Sequence, residues 1–346
     1  MVKELVEQAK AIGASDVHVV CGLSPRCRVD GKLGEMGFPV MGPEDCTAIA
    51  MELAGARYKE MESIGELDLS DTIAGVRCRI HLFRQQGQVS LALRLLSGSI
   101  PNADTLGLPP SVIPLTDLHK GIVLVTGETG SGKSTTLAAL LDRINHTYYS
   151  HIVTLEDPVE YIYTPDKCVI NQREIGKDTA SFSEGLRASL REDPNVILIG
   201  EMRDKDTIET AITAAETGHL VFATLHTGSA ADSIDRIVQV FPEGAQTQIR
   251  LQLSMTLEAV LTQQLVPCKG GGRTLACEMM IVTDAIRNLI RSGNTPQIAN
   301  AVSTSAAIGG QTMDQALVKL IRANRISRET ALYYAKDQAY VKKNCL

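Results

Sequence analysis

The strongest chemical signal in the chain is the stretch GETGSGKST at residues 127–135. It fits the phosphate-loop template G-x-x-x-x-G-K-[ST], whose fixed positions are filled by Gly127, Gly132, Lys133 and Ser134. Glycines let backbone N–H groups surround phosphate oxygens, while the lysine reaches the β and γ phosphates and the serine hydroxyl binds Mg²⁺. The stretch predicts a nucleoside triphosphate site formed by Gly127, Thr129, Gly130, Ser131, Gly132, Lys133, Ser134 and Thr135.

Acidic and imidazole side chains follow three short apolar runs downstream of this loop. Glu156, Asp157 and Glu160 follow IVTL, Glu201 follows VILIG, and His226 follows LVFATL. Because ligands bind at the carboxyl ends of strands in an open α/β sheet, neighbouring parallel strands would bring these groups beside the loop. The carboxylates would serve Mg²⁺ and polarise water, and the histidine would sense the γ phosphate. For Asp157 alone, a helix cap or a solvated loop charge is favoured.

Three arginines share the polar side of a predicted β-hairpin. In RCRIHLF, Arg77 and Arg79 alternate with apolar residues, and in VSLALRLL, Arg94 projects opposite the leucines. The segment QQGQ between the two runs is typical of a hairpin turn. The pattern alone favours a solvated sheet face, and the alternative is an arginine clamp on the γ phosphate.

The chain divides into regions that differ in composition and in hydrophobic pattern, and these regions must position the residues above. Residues 1–97 predict a small α+β domain, and the Gly-, Pro- and Ser-rich residues 98–114 predict a linker. From 115 to 346 apolar runs alternate with helical patterns, which predicts βα units around a mostly parallel sheet, mainly helical after about residue 275. Strands are predicted at 15–20, 77–83, 89–96, 121–126, 151–156, 195–200 and 219–226, and helices at 2–12, 283–293, 312–325 and 327–340.

Composition excludes some classes of protein. The 346 residues carry 34 basic and 40 acidic side chains, a net charge of −6 without a basic stripe, which disfavours a dedicated nucleic-acid binder. The cysteines are scattered without a C-x-x-C pair, which favours idle thiols in a reducing cytosol. No apolar run approaches the roughly 18 residues that span a bilayer. We therefore expect a cytoplasmic protein that could be held peripherally by a membrane machine.

Taken in order, these motifs closely resemble those of the PilT-type pilus retraction ATPases, within the superfamily of secretion and pilus motor ATPases. The resemblance spans nearly the whole chain, and the ordered set is far more specific than the phosphate loop alone. Two departures are Glu128, where relatives often carry Pro, and His81, where they often carry Asn. The matching segments are GASDVHVVCGLSPRCRVDGKL (13–33), GETGSGKSTTLAALLDRIN (127–145), TLEDPVEY (154–161), LRASLREDPNVILIGEMRD (186–204), TGHLVFATLHTGSA (217–230) and AIRNLIR (285–291).

The resemblance implies an architecture and a function. The fold would be α/β, with a PAS-like α+β domain joined by a linker to a RecA-like P-loop ATPase domain that ends in a helical region. The activity would be ATP hydrolysis with Mg²⁺ by a homohexameric ring that powers type IV pilus retraction and twitching motility. The ring would lie peripherally at the inner face of the cell membrane, against an inner-membrane platform protein and with other pilus ATPases as possible partners.

The resemblance also assigns roles residue by residue. Lys133 and Ser134 would bind phosphate and Mg²⁺, Glu201 would support the metal, and His226 would contact the γ phosphate. Glu160 would activate the attacking water. The hairpin arginines Arg77, Arg79 and Arg94 become expected clamps, which reverses the preference from pattern alone. AIRNLIR is an ordinary helix-packing stripe by pattern, and the resemblance favours a role in transmitting motion or contacting the pilus machine.

Three alternatives stay open at this point. A pilus assembly or secretion motor often carries a four-cysteine zinc insert, whereas only Cys268 and Cys277 lie in the corresponding region. A nucleic-acid translocase on the same core is disfavoured by net charge and by the lack of an aromatic, basic face. A scaffold that binds ATP without hydrolysing it is disfavoured by the acidic strand endings.

Overall fold

The computed structural model describes residues 1–96 and 98–345 and divides into two compact units. The first unit contains Met1–Ile100 and Pro158–Ile162, and the second contains Pro101–Asp157 and Tyr163–Leu346. The domain end predicted at residue 97 and the final residue, 346, lie outside the described residues. A short 3-10 helix spans Ala103–Thr105 within the predicted linker, and a second, Pro110–Asp117, begins in the linker and extends past its end.

The first unit is a small α+β layer. Its antiparallel sheet has the strand order β3-β2-β1-β6-β5-β4. Three helices pack with it around one core that includes Leu5, Ile49, Met61, Ile80 and Leu91. The elements are α1 (Val2–Ala11), β1 (Asp16–Val19), β2 (Arg26–Val29), β3 (Lys32–Glu35), α2 (Pro43–Ala54), α3 (Tyr58–Ile64), β4 (Glu66–Ile73), β5 (Val76–Gln85) and β6 (Gln88–Leu95).

The hairpin of β5 and β6 is confirmed, as are the first helix and the strand that follows it. The turn residues Gln86 and Gly87 both have positive φ, 50° and 77°, which is the backbone that a two-residue hairpin loop requires. Along β5 the side chains alternate between buried and more exposed, because successive residues of a strand point to opposite faces. Strands β2, β3 and β4 and helices α2 and α3 were not predicted.

The second unit is built on a sheet of strand order β13-β12-β7-β11-β10-β8-β9, parallel except for the antiparallel edge strand β13. The strand before the phosphate loop, β7, lies between β11 and β12. All four strands predicted in this unit are present, whereas β9, β12 and β13 were missed. The elements are β7 (Gly121–Thr126), α4 (Lys133–Thr147), β8 (His151–Glu156), β9 (Val169–Glu174), α5 (Phe182–Ser189), β10 (Val196–Ile199), α6 (Lys205–Glu216), β11 (Leu220–Leu225), α7 (Ala230–Gln239), α8 (Glu243–Thr256), β12 (Leu257–Pro267) and β13 (Arg273–Ile281).

The C-terminal region is helical, as predicted, but its helices begin only after β13. They are α9 (Asp284–Ser292), α10 (Ile298–Ser303), α11 (Met313–Arg322), α12 (Arg328–Tyr334) and α13 (Gln338–Asn344). The prediction of one helix over residues 327–340 is wrong. The backbone adopts an extended conformation at Ala335, and a new helix begins at Gln338. The carboxylate of Asp314 accepts the backbone N–H groups of Lys336 and Asp337 and so stabilises this break.

None of the helices within residues 1–96 and 98–345 combines the length and the apolar character that crossing a bilayer requires.

Candidate nucleotide-binding site

The phosphate loop joins the fully buried strand β7 to helix α4, which begins at Lys133. Its conformation depends on glycine at three points. The φ angles of Gly127, Gly130 and Gly132 are 139°, 81° and 92°, values that residues with a side chain rarely adopt. A Cβ atom at Gly127 would lie 2.4 Å from the backbone oxygen of Gln263 on β12. The neighbouring strand therefore excludes any larger residue from the first position of the loop.

Lys133 lies folded over the loop rather than extended into solvent, and only 9% of the residue is exposed. Its Nζ donates to the backbone oxygens of Gly127, at 2.7 Å, and Glu128, at 3.0 Å. A buried ammonium group is costly unless it is hydrogen-bonded, so these carbonyls hold the charge at the centre of the loop. An ammonium held there is suited to a phosphate anion.

The Ser131 side chain provides an independent test of whether the loop fits a phosphate. Its hydroxyl is buried and finds no hydrogen-bond partner within residues 1–96 and 98–345. A buried hydroxyl left unpaired costs free energy, which an anionic acceptor would recover. On the first turn of α4, Ser134 is exposed and Thr135 is half-buried. In the loop itself, Thr129 and Gly130 are exposed. The donors of this loop fit a nucleotide phosphate.

Four side chains form a continuous polar series at the carboxyl edge of the sheet. The Nζ of Lys133 lies 3.5 Å from Nδ1 of His226, and Nε2 of His226 lies 3.3 Å from Oε1 of Glu201. The same carboxylate oxygen lies 2.5 Å from Nε of Arg203. Glu201 and His226 were predicted at separate strand ends and Lys133 in the phosphate loop, and the structure brings the three together. Arg203 was missed, although it lies two residues after Glu201 in GEMRD.

The electrostatics of this series keep Glu201 ionised. Burial alone would raise the pKa of Glu201, but the hydrogen bond from Arg203 and the charges of His226 and Arg203 lower it below its usual range. In the reverse direction, the hydrogen bond to Glu201 raises the pKa of Arg203. The site therefore holds a charged carboxylate beside the phosphate loop at neutral pH.

Hydrogen bonds between the ends of neighbouring strands place Glu201. The hydroxyl of Thr224, on β11, donates to the carbonyl of Gly200, and the N–H of Met202 donates to the carbonyl of Thr224 at 3.1 Å. On the other side, a Cβ at Gly200 would lie 3.0 Å from the backbone oxygen of Leu155, at the end of β8. The chain must therefore pass close to both neighbouring strands, which aligns Glu201 with His226.

The acids at the end of β8 and just after it lie in different surroundings. The carboxylate of Glu156 accepts hydrogen bonds from Thr154, at 2.6 Å, and from Gln172, at 3.2 Å. Asp157 is exposed, and Glu160 is half-buried in the segment Pro158–Ile162 that belongs to the first unit. Glu160 and the hairpin arginines therefore belong to the same compact unit.

The hairpin arginines lie on one side of their sheet but make different contacts. Arg77 donates through Nε to the backbone oxygen of Val159, at 2.8 Å, and through a terminal nitrogen to the hydroxyl of Ser70, at 2.6 Å. Arg94 pairs with Asp16 at 2.9 Å. Arg79 is exposed and lies opposite Arg94 in the register of β5 and β6. Arg77 therefore anchors the segment that carries Glu160.

The parallel sheet, the phosphate loop and the charged series at the strand ends define a P-loop ATPase with a RecA-like core. The family model described as "Type II/IV secretion system protein" matches residues 84–333, and the chain belongs to that family. It is 45% identical to the type IV pilus retractation ATPase PilT of Pseudomonas aeruginosa, over 97% of this chain and 98% of that protein. It is 42% identical to a twitching motility protein of Neisseria gonorrhoeae, over 91% of this chain and 85% of that protein.

A solved structure supports the same assignment. The crystal structure of the pilus retraction motor PilT with bound ADP matches with a TM-score of 0.93 at 45% identity, covering 99% of each chain. The resemblance predicted from the sequence is confirmed. So is the predicted fold, in which a small PAS-like α+β domain precedes a RecA-like ATPase domain that ends in helices.

Proposed function

We propose that this protein hydrolyses ATP to power the retraction of a type IV pilus, and thereby twitching motility. The observation that carries the proposal is the series from Lys133 through His226 to Glu201 beside the phosphate loop. The similarity to a retraction ATPase and to a twitching motility protein supplies the biological context.

Each member of the site has a role that its contacts support. The loop and Lys133 hold the phosphates, and His226, which contacts both Lys133 and Glu201, responds to the γ phosphate. Ser134 and Glu201 would hold Mg²⁺, because an exposed hydroxyl and an ionised carboxylate are the oxygen ligands this ion prefers. When bound, the ion would neutralise charge on the phosphate oxygens. Arg203 keeps Glu201 ionised and fixes its orientation.

Residues of the first unit complete the proposed chemistry. Glu160 is the proposed group that activates the attacking water. Arg77, Arg79 and Arg94 are the proposed clamps on the γ phosphate. Arg77 also holds the backbone of Val159, next to Glu160. Among the three, Arg79 is best suited to an anionic ligand, because its guanidinium is exposed whereas Arg77 and Arg94 are engaged by Val159 and Asp16.

The AIRNLIR segment forms helix α9, whose position supports a role in passing motion. Ile286 and Ile290 are buried, and Arg287 makes two contacts of 3.1 Å with the carboxylate of Glu258 at the start of β12. A Cβ at Gly121, the first residue of β7, would lie 2.6 Å from the side chain of Glu258. Helix α9 is therefore connected to the strand that leads into the phosphate loop.

The proposed working form is a homohexameric ring at the inner face of the cell membrane. It would act on an inner-membrane platform protein of the pilus and share the work with other pilus ATPases. Light scattering of the purified protein with and without ATP and Mg²⁺ tests the ring, and a mass of one or two chains under every condition would contradict it.

A substitution at Glu201 tests the site. Glu201→Gln removes the charge that would support Mg²⁺, so we expect ATP turnover, measured as phosphate release, to fall at least about 100-fold. Glu209→Gln makes the same change at an exposed position of α6 and should leave turnover intact. Normal turnover by Glu201→Gln would refute the assignment.

Retraction itself is tested in cells. A strain that lacks the gene should extend pili but fail to retract them. Loss of pili altogether would favour an assembly or secretion motor, and stimulation of the ATPase by DNA or RNA across salt concentrations would favour a translocase.

A further inference from the structure

The edge strand β13 contributes a buried carboxylate that the proposed chemistry leaves unused. Glu278 is 8% exposed, and its Oε1 accepts the backbone N–H of Ala230 at 2.8 Å. Its Oε2 lies 3.4 Å from Nζ of Lys336. A buried charge is costly unless it is paired and hydrogen-bonded, so Glu278 must keep both partners in place.

The first of these partners belongs to the loop that carries His226. Ala230 is the first residue of α7, where unpaired N–H groups and the helix dipole favour a negative charge. The loop between His226 and α7 is tied to the same turn, since the hydroxyls of Thr227 and Ser233 lie 2.6 Å apart and Ser233 donates to the carbonyl of Ser229 at 2.6 Å. A displacement of the α7 N-terminus would therefore move the segment that ends at His226.

The second partner belongs to the C-terminal helices. Lys336 lies in the break between α12 and α13, and its backbone N–H donates to Asp314 of α11 at 2.9 Å. The N–H of Asp337 donates to the other oxygen of Asp314 at 3.1 Å. One short series of contacts thus runs from the last three helices, through Lys336 and Glu278, to the loop behind His226.

We propose that Glu278 and Lys336 form a positioning pair. The pair keeps His226 in place beside Lys133 and Glu201 and couples the position of His226 to helices α11–α13. Neither residue touches the reacting atoms; they act through the N-terminus of α7. The inference rests on the proposed function, because the position of His226 affects turnover only if this site hydrolyses ATP. It identifies the C-terminal helices as a site from which ATP turnover is controlled.

The test is Lys336→Met, which removes the charge but keeps the length of a half-exposed side chain. We expect kcat for ATP to fall about fivefold, whereas the Kd for ADP, which lacks the γ phosphate, stays unchanged. Amide hydrogen exchange measured without nucleotide should become faster at residues 226–230 but not in the central strands. Glu278→Gln, which can still accept from Ala230 but cannot pair with Lys336, should reproduce both effects.

The matched control is Lys342→Met on α13, which makes the same change at an exposed position and should behave as wild type. Unchanged exchange at 226–230 in Lys336→Met, or faster exchange throughout the sheet, would overturn the positioning role. An unchanged kcat alongside faster local exchange would overturn the coupling to turnover. A wild-type protein without ATP turnover would instead overturn the proposed function.

Discussion

The charged groups of the two units are organised in different ways. In the second unit, Lys133, His226 and Glu201 contact one another in series at the ends of buried strands. In the first unit, Arg77 and Arg94 are each bound to separate partners, and Arg79 projects from an exposed sheet face. The side chains of the second unit contact one another, whereas the arginines of the first unit do not form such a series.

The difference follows from the sheets that carry them. Parallel strands covered by helices have all their carboxyl ends at one edge, so polar residues placed there must meet. An antiparallel sheet with one solvated face distributes its polar residues over that face, where neighbouring charges are screened by water. We infer that the second unit holds a preassembled set of polar groups beside its phosphate loop, whereas the first unit presents its arginines separately on a sheet face.

The largest effect expected from this comparison is at Lys133. Lys133→Ala removes the ammonium that the loop carbonyls hold at the phosphate position, so ATP turnover should fall at least about 100-fold. The measurement is steady-state phosphate release with saturating ATP and Mg²⁺. Lys120→Ala, at an exposed position just before β7, is the control and should retain activity. Retained turnover in Lys133→Ala would show that the preformed site is misassigned.

Substitutions of two hairpin arginines should have different effects, with Arg79 needed for turnover and Arg77 needed also for stability. Arg79→Gln should lower ATP turnover about tenfold without a change in melting temperature, because its guanidinium is exposed. Arg77→Gln loses its hydrogen bonds to Val159 and Ser70, so it should also lower the free energy of unfolding by about 1–3 kcal/mol. Turnover assays and thermal melts on both variants make the comparison. Equal losses of stability in Arg79→Gln and Arg77→Gln would contradict the assignment of Arg77 as the anchoring residue.

The smallest effect concerns pH and Glu201. Because its folded pKa lies below the unfolded value, Glu201 adds stability that is present above the unfolded pKa of about 4.5. That contribution is lost as the pH falls through the lower folded pKa. The stability advantage of wild type over Glu201→Gln should therefore shrink between about pH 5 and pH 3 in urea titrations. An advantage that grows on acidification would show that Arg203 and His226 do not hold the carboxylate ionised.

Much of the fold was predictable because its signals are local. The four apolar runs of the parallel sheet and the QQGQ turn were read from periodicity and turn residues alone. Strands β12 and β13 were missed, since LEAVLTQQLVP and RTLACEMMI have no simple alternation and owe their pairing to each other and to β7. The predicted helix across 327–340 failed because a distant residue, Asp314, stabilises its interruption.

The same division applies to the site. Gly127, Lys133 and Ser134 were found from motif spacing, and Glu201 and His226 from their positions after apolar runs. Arg203 was missed because a charge after a strand is ordinary in sequence, and its importance lies in a contact with Glu201. Glu278 could not be found in sequence either, because it is buried by elements that are far apart along the chain.

The sequence by itself determined that a phosphate loop follows a buried strand and that acids and a histidine end the neighbouring strands, because these properties depend on residue type and short spacing. Only the tertiary structure decided which of these groups touch. Contact between Lys133, His226 and Glu201 depends on the order of strands in the sheet, and the anchoring of Arg77 on Val159 depends on a segment that lies far along the chain. Long-range pairing selects partners that no local pattern specifies.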